Sequence, residues 1–207
     1  MFPATVYRLC LVTDSTLAAD RPLADIVAAA VRGGVSMVQL REKSASTRDF
    51  LAQAQALKAA LAGTGVPLVI NDRVDIALAV DADGVHVGQG DMPVADVRRL
   101  LPQGRIVGLS ITNAAQMAAS DAGAADYLGI GPIFAQTTKS DACTPLGFAG
   151  FGRLRALAPA GKPCMAIGGV KALHAADLRA AGADGLAVVS AIVAAADPEA
   201  AARAFGR

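Results

Sequence analysis

Short apolar runs alternate with Ala-rich amphipathic segments from one end of this chain to the other, and this alternation limits the fold more than any other feature. It is the pattern of repeated βα units, not of a sandwich or a helix bundle. The spacing predicts strands at Tyr7–Thr13, Met37–Leu40, Pro67–Ile70, Gly84–Val87, Ile106–Ser110, Tyr127–Ile130, Cys164–Ile167 and Gly185–Val189. These runs are apolar nearly throughout, so both faces of the sheet should be covered, as in an all-parallel sheet. Helices are expected at Pro22–Arg32, Thr47–Ala62, Val74–Ala79, Pro93–Leu101, Ala114–Asp121, Gly150–Leu157, Leu173–Ala181 and Pro198–Phe205. Pro22, Pro93 and Pro198 suit first-turn positions, where no backbone donor is lost.

A weak internal repeat supports the count. Gly33-Gly34-Val35-Ser36, Asp81-Ala82-Asp83-Gly84, Ala122-Gly123-Ala124-Ala125-Asp126 and Ala181-Gly182-Ala183-Asp184 each follow a helix and precede every second strand, as if each ended in the same helix-terminating turn. An open doubly wound sheet satisfies the periodicity as well. Even spacing and the repeat favour closure, so the expected class is α/β, a single (β/α)8 TIM barrel with parallel strands. No linker or low-complexity tract divides residues 1–207, which read as one catalytic domain. The stretch Gly131–Gly147 is the longest irregular one and reads as a lid or binding loop.

Composition narrows the partners. Hydrophobic residues make up 54%, but Asp, Arg or Gly interrupts every apolar run well before the ~18 residues a membrane helix needs. Residues 1–10 lack the pattern of a secretory signal, so the cytoplasm is the expected location. A net charge of +1 with both signs interspersed gives no field to gather nucleic acid. Cys10, Cys143 and Cys164 are widely spaced and read as reduced core residues. With only His86 and His174 present, a histidine-rich metal centre is not expected, and any metal should prefer oxygen ligands. Homo-oligomerisation is left open.

In a parallel barrel the ligand sits at the carboxyl ends of the strands, so the polar residues there carry the argument. Gln39-Leu40-Arg41-Glu42-Lys43 would send Gln39, Arg41 and Lys43 to one side. Two cations and an amide suit an oligophosphate, while a solvated strand end is the plain alternative. Asp72 and Asp91 follow neighbouring strands, as a Mg2+ site requires when it takes one or two carboxylates plus phosphate oxygens. Either aspartate also suits a helix N-cap. Ser110 reads as a hydroxyl donor or as a cap. Gln136-Thr137-Thr138-Lys139 gathers an amide, hydroxyls and a cation that would offset charge on a leaving phosphate oxygen, or else forms an ordinary surface loop. Gly168-Gly169 after the seventh strand and Val189-Ser190 after the eighth match the barrel's usual monophosphate site, built on backbone N–H groups. Two anion sites on one face, one with a metal, would serve a two-substrate transfer in which diphosphate leaves.

The ordered set Gln39-Leu40-Arg41-Glu42-Lys43, Ile70-Asn71-Asp72-Arg73, Asp83 to Asp91, Gly129-Ile130-Gly131-Pro132-Ile133-Phe134, Thr138-Lys139 and Ala166-Ile167-Gly168-Gly169 resembles the thiamine phosphate synthase family. The likeness runs from Leu11 to Ile192. It implies condensation of hydroxymethylpyrimidine diphosphate with a thiazole phosphate, in many members carboxylated, giving thiamine phosphate and pyrophosphate. The diphosphate bond breaks early in that family, leaving a pyrimidine cation for the thiazole nitrogen. No strong base is needed, in keeping with the scarcity of histidine. By motif, Gln39, Arg41, Lys43, Asn71, Ser110 and Lys139 would contact the pyrimidine diphosphate, with Arg41, Lys43, Ser110 and Lys139 as the catalytic set. Asp72 and Asp91 would hold Mg2+. Gln136, Thr137, Thr138, Gly169, Val189 and Ser190 would receive the thiazole phosphate.

Two positions depart from the family pattern. Ala135-Gln136 stands where Pro-Thr is usual, and Ser110-Ile111-Thr112 where Ser-x-His is usual. The alternatives are a thiazole tautomerase-like relative, which would want the histidine missing at Thr112, and a non-catalytic thiamine-precursor phosphate sensor.

Overall fold

The computed structural model describes residues 2–119, 121–135 and 144–206. Strands β1 (Leu9–Val12), β2 (Met37–Leu40), β3 (Leu68–Asn71), β4 (Gly84–Val87), β5 (Ile106–Ile111), β6 (Tyr127–Ile130), β7 (Cys164–Ile167) and β8 (Gly185–Val188) pair in parallel in chain order. The ring closes where Cys10 of β1 sits opposite Ala187 of β8. This is the (β/α)8 TIM barrel, not the open sheet. Helices α1 (Ser15–Ala18), α2 (Leu23–Arg32), α3 (Thr47–Ala60), α4 (Val74–Ala79), α5 (Val94–Leu100), α6 (Ala114–Ala119), α7 (Gly147–Leu157), α8 (Ala175–Ala180), α9 (Ser190–Val193) and α10 (Pro198–Arg203) run between the strands and after the last.

Boundaries move for local reasons. Tyr7 belongs to a 3-10 turn, Ala4–Tyr7, and β1 begins only at Leu9. The turn tucks Val6 and Tyr7 under the barrel, where they pack with its interior residues. Pro198 occupies the first turn of α10 as expected, but Pro22 and Pro93 stand one step earlier, at the cap positions of α2 and α5. Asp14, Ser46 and Asp197 cap α1, α3 and α10 by accepting the N–H of Leu17, Asp49 and Ala200, which satisfies donors that the first helical turn leaves free. Helices α1 and α9 are single turns that the apolar pattern does not reveal.

Strand residues alternate between two cores. Leu11, Val38, Leu40, Ile70, Val85 and Ile130 pack outward with the helices. Cys10, Val12, Met37, Val69, Ile106, Tyr127 and Met165 fill the barrel. The four-fold repeat has a physical cause. The residue before each even strand accepts an N–H from the start of the preceding odd strand: Ser36 from Leu9 at 3.0 Å, Asp83 from Leu68 at 2.9 Å, Asp126 from Val107 at 2.8 Å and Asp184 from Cys164 at 2.9 Å. Three of these acids are also paired with arginine, Asp83 with Arg105, Asp126 with Arg98 and Asp184 with Arg155. Among the described residues no helix is long and apolar enough to cross a membrane.

Candidate active site

Three strand ends carry the residues expected at the first anion site. β2 ends at Leu40, so Gln39 lies inside the barrel at 5% exposure while Arg41 and Lys43 sit in the loop beyond. That loop is braced at both sides. Thr13, fully buried at the end of β1, accepts the Arg41 N–H at 3.1 Å. Glu42 accepts the Ser15 hydroxyl at 2.6 Å and the Lys43 N–H at 2.9 Å. Burial pushes the Glu42 carboxyl up, but the bonds from Ser15, Ser44 and Lys43 outweigh it and hold the group below its usual range.

Asp72 follows β3 in an uncommon backbone state. Its φ is 62°, and the Arg73 N–H reaches back to the Asn71 carbonyl at 2.7 Å, a three-residue γ-turn that a non-Gly residue enters at some cost. Within this turn the carboxylate meets Lys43 Nζ at 2.5 Å. Burial raises the Asp72 pKa, Lys43 pulls it back, and the neighbouring Asp91 carboxylate raises it further. Asp91 itself accepts the Gly88 N–H at 2.7 Å, closing the turn after β4. Neither aspartate caps a helix: the cap positions of α4 and α5 are Arg73 and Pro93, and neither side chain bonds a helix N–H. The capping reading is therefore replaced by two carboxylates that face one another. Such a pair is suited to a cation, which removes their mutual repulsion. Among the described residues no group of three or more His, Cys, Asp or Glu could hold a metal, so a cation here would rely on two carboxylates and on ligand oxygens, as Mg2+ commonly does.

The barrel interior under this cluster holds a polar chain. Ser110 does not cap α6; the N–H of Gln116 goes to Asn113 at 2.9 Å. The Ser110 hydroxyl lies 2.8 Å from His86 Nε2, and His86 Nδ1 lies 2.8 Å from the Tyr127 hydroxyl. Burial raises the Tyr127 pKa well above the phenol range and the buried Cys10 adds to this, while a hydrogen bond with Gln39 opposes it. The Ser110 carbonyl accepts Gln89 Nε2 at 2.7 Å. Asn71 ends β3 directly opposite His86. His86 and Tyr127 escape a reading aimed at residues just after strands. The signal for His86 is its phase, since it shares the inward side with Gly84 while Val85 and Val87 face the helices.

On the far side of the ring, Gly168 and Gly169 carry φ of 95° and 67°, values glycine adopts freely. Gly169 is also pressed against Phe134, where a Cβ would lie 2.8 Å from the phenylalanine Cβ. Val189 is the cap of α9 and not the end of β8, and Ser190 is the first residue of that helix. Gln136, Thr137, Thr138 and Lys139 lie outside the described residues, as does Cys143. Cys10 and Cys164 are free and buried; burial pushes their thiols up to about 12 and about 11, which suits inert core residues. A groove of about 790 Å3 between α3 and α4, lined by Leu61, Val66, Pro67 and Val80 among others, opens at the opposite end of the barrel.

The model of the family described as thiamine monophosphate synthase matches residues 9–192. A thiamine-phosphate synthase of Albidiferax ferrireducens is 55% identical over 92% of this chain and 86% of its own. One from Chloroflexus aurantiacus is 51% identical over 95% of this chain and 90% of its own. The solved thiamine phosphate pyrophosphorylase of Pyrococcus furiosus superposes with a TM-score of 0.86 at 30% identity, covering 98% of this chain and 95% of that one.

Proposed function

The chain belongs to the thiamine monophosphate synthase family, and from that premise we propose that it joins hydroxymethylpyrimidine diphosphate to a thiazole phosphate or its carboxylated form. It is a transferase enzyme with thiamine-phosphate synthase activity. In the proposed reaction the bond between the pyrimidine methylene carbon and the diphosphate oxygen breaks first. The thiazole nitrogen then bonds to that carbon, giving thiamine phosphate and free pyrophosphate. Neither step asks the protein for a strong base.

Each residue has a part in this reading. Arg41 and Lys43 surround the departing diphosphate with donors and positive charge. Gln39, Asn71 and Ser110 hold the pyrimidine half. Asp72 and Asp91 would hold Mg2+, which when bound offsets and orients charge on the leaving group. Gly168, Gly169, Val189 and Ser190 offer backbone N–H groups to the thiazole phosphate; by motif alone, Gln136, Thr137 and Thr138 would share that phosphate and Lys139 would serve the leaving oxygen. The reaction belongs in the cytoplasm, with small molecules as its partners.

The observation that carries the proposal is the convergence of Lys43, Asp72 and Asp91 from three successive strands, with Lys43 and Asp72 at 2.5 Å. The test is to incubate the purified protein with both substrates, with and without Mg2+, and measure thiamine phosphate and pyrophosphate. Equal amounts of the two products, dependent on Mg2+, are expected. Binding of both substrates without product would overturn the reading in favour of a sensor.

A further inference from the structure

We propose that His86 is a positioning residue for Ser110: held as the Nε2–H tautomer, it donates to the serine hydroxyl oxygen and so turns the Ser110 O–H toward the substrate at the barrel mouth. The inference rests on the assignment of Ser110 to the pyrimidine-diphosphate site.

The geometry is a directed chain. His86 is buried at 6% exposure, with Nε2 on the Ser110 side and Nδ1 on the Tyr127 side, each contact 2.8 Å long. A neutral imidazole has one donor and one acceptor nitrogen, and the partners decide which is which. Tyr127 is fully buried, and its phenol, a stronger acid than an alkyl alcohol, is the better hydrogen-bond donor and the poorer acceptor of the two hydroxyls that flank the ring. The phenol proton therefore faces His86 Nδ1. The imidazole proton then sits on Nε2, and Ser110 accepts it. The serine proton can no longer point inward and is offered outward. The backbone half of Ser110 is held separately, through its carbonyl and Gln89.

The barrel makes room for this chain at the expense of side chains elsewhere. On β5, a Cβ at Gly108 would lie 2.4 Å from His86 Nδ1 and 2.3 Å from Tyr127 Cζ. On β6, a Cβ at Gly129 would lie 3.2 Å from His86 Cε1. Two glycines in adjacent strands of a packed core therefore leave the space that His86 and Tyr127 occupy. An apolar filling would be simpler. What the polar chain adds is a fixed direction for one hydroxyl.

Two experiments test the proposal. The first needs no substrate: in a His174→Gln variant only one imidazole remains, and its 15N spectrum should show a pyrrole-type Nε2 and a pyridine-type Nδ1. The opposite tautomer, or rapid averaging of the two, overturns the proposal. The second is a double-mutant cycle. His86→Leu should lower kcat roughly 10–100-fold, the usual scale for a partner one shell out, with KM little changed. His86→Gln, which keeps an amide donor near Nε2, should recover part of the loss. In a Ser110→Ala background neither substitution should lower kcat further; independent, multiplicative losses would show a merely structural role and overturn the proposal. Tyr127→Phe, which conserves the ring, repeats the cycle should His86→Leu fail to fold. Wild-type kinetics in Ser110→Ala would instead defeat the assignment of Ser110, while the tautomer measurement would stand.

Discussion

Lys43 Nζ and Asp72 Oδ2 lie 2.5 Å apart, one from the loop after β2 and the other from the γ-turn after β3. The lysine side chain is 54% exposed, so solvent screens the pair and its contribution to stability is small. Its importance is positional. An ammonium and a carboxylate are already gathered, beside a second carboxylate, at the place that the proposed reaction gives to a diphosphate and its counter-ion.

Removing either carboxylate should therefore disable the reaction and spare the fold. Asp72→Asn suits the turn, since Asn tolerates positive φ at least as well as Asp. We expect Asp72→Asn and Asp91→Ala each to lower kcat by roughly 100-fold or more, with an unchanged far-ultraviolet circular dichroism spectrum. Wild-type kinetics in both variants at limiting Mg2+ would rule out the metal assignment.

Glu42 gives a pH signature. Its folded pKa lies below the ordinary value, so the stability it adds is fully present above about pH 4.3 and is lost as pH falls through the lower folded pKa. Glu42→Gln should lower Tm at neutral pH, and the gap to wild type should close in acid. A gap that stays constant, or widens on acidification, contradicts the bracing role.

Gly108→Ala should be destabilising. The added methyl would lie 2.3 Å from Tyr127 Cζ and 2.4 Å from His86 Nδ1, and both neighbours are buried. Overpacking of this kind costs about 1–3 kcal/mol, to be read from the midpoint of denaturant unfolding. A neutral result would mean that the barrel interior is looser than these contacts require.

The acids before the even strands make a graded comparison. Asp126→Ala strands the buried Val107 N–H and releases Arg98, with an expected cost of about 1–3 kcal/mol. Asp96→Ala removes only a surface pair with Arg99, whose side chain is 79% exposed, and should change stability by less than about 1 kcal/mol. Equal effects from the two would refute the brace.

Much of this architecture is legible in the residues because parallel strands buried on both faces must be apolar, and every predicted strand is one. The limits of that signal are equally physical. Tyr7 reads as strand because it is apolar and precedes Leu9, yet tertiary packing under the barrel bends it into a 3-10 turn. Val189 continues an apolar run, yet the chain turns there to start α9. At the site, Lys43, Asp72 and Asp91 were accessible to reasoning because each follows a strand. That Asp72 is not a helix cap was not, since capping and metal binding draw on the same side chain and only the γ-turn separates them. His86 and Tyr127 sit inside strands, where a polar residue is easily taken for core.

The side-chain-to-amide contacts made by the residues that precede β2, β4, β6 and β8 divide the ring into quarters, each stapled within itself across 15 to 27 residues. Strand register is thus settled locally four times over, and joining β8 to β1 only brings together pieces already in phase. New chain ends placed in α3, α5 or α7 leave every staple inside one continuous stretch, whereas ends placed in α2, α4, α6 or α8 split one. Circular permutants of the first kind should refold readily, and those of the second should lag.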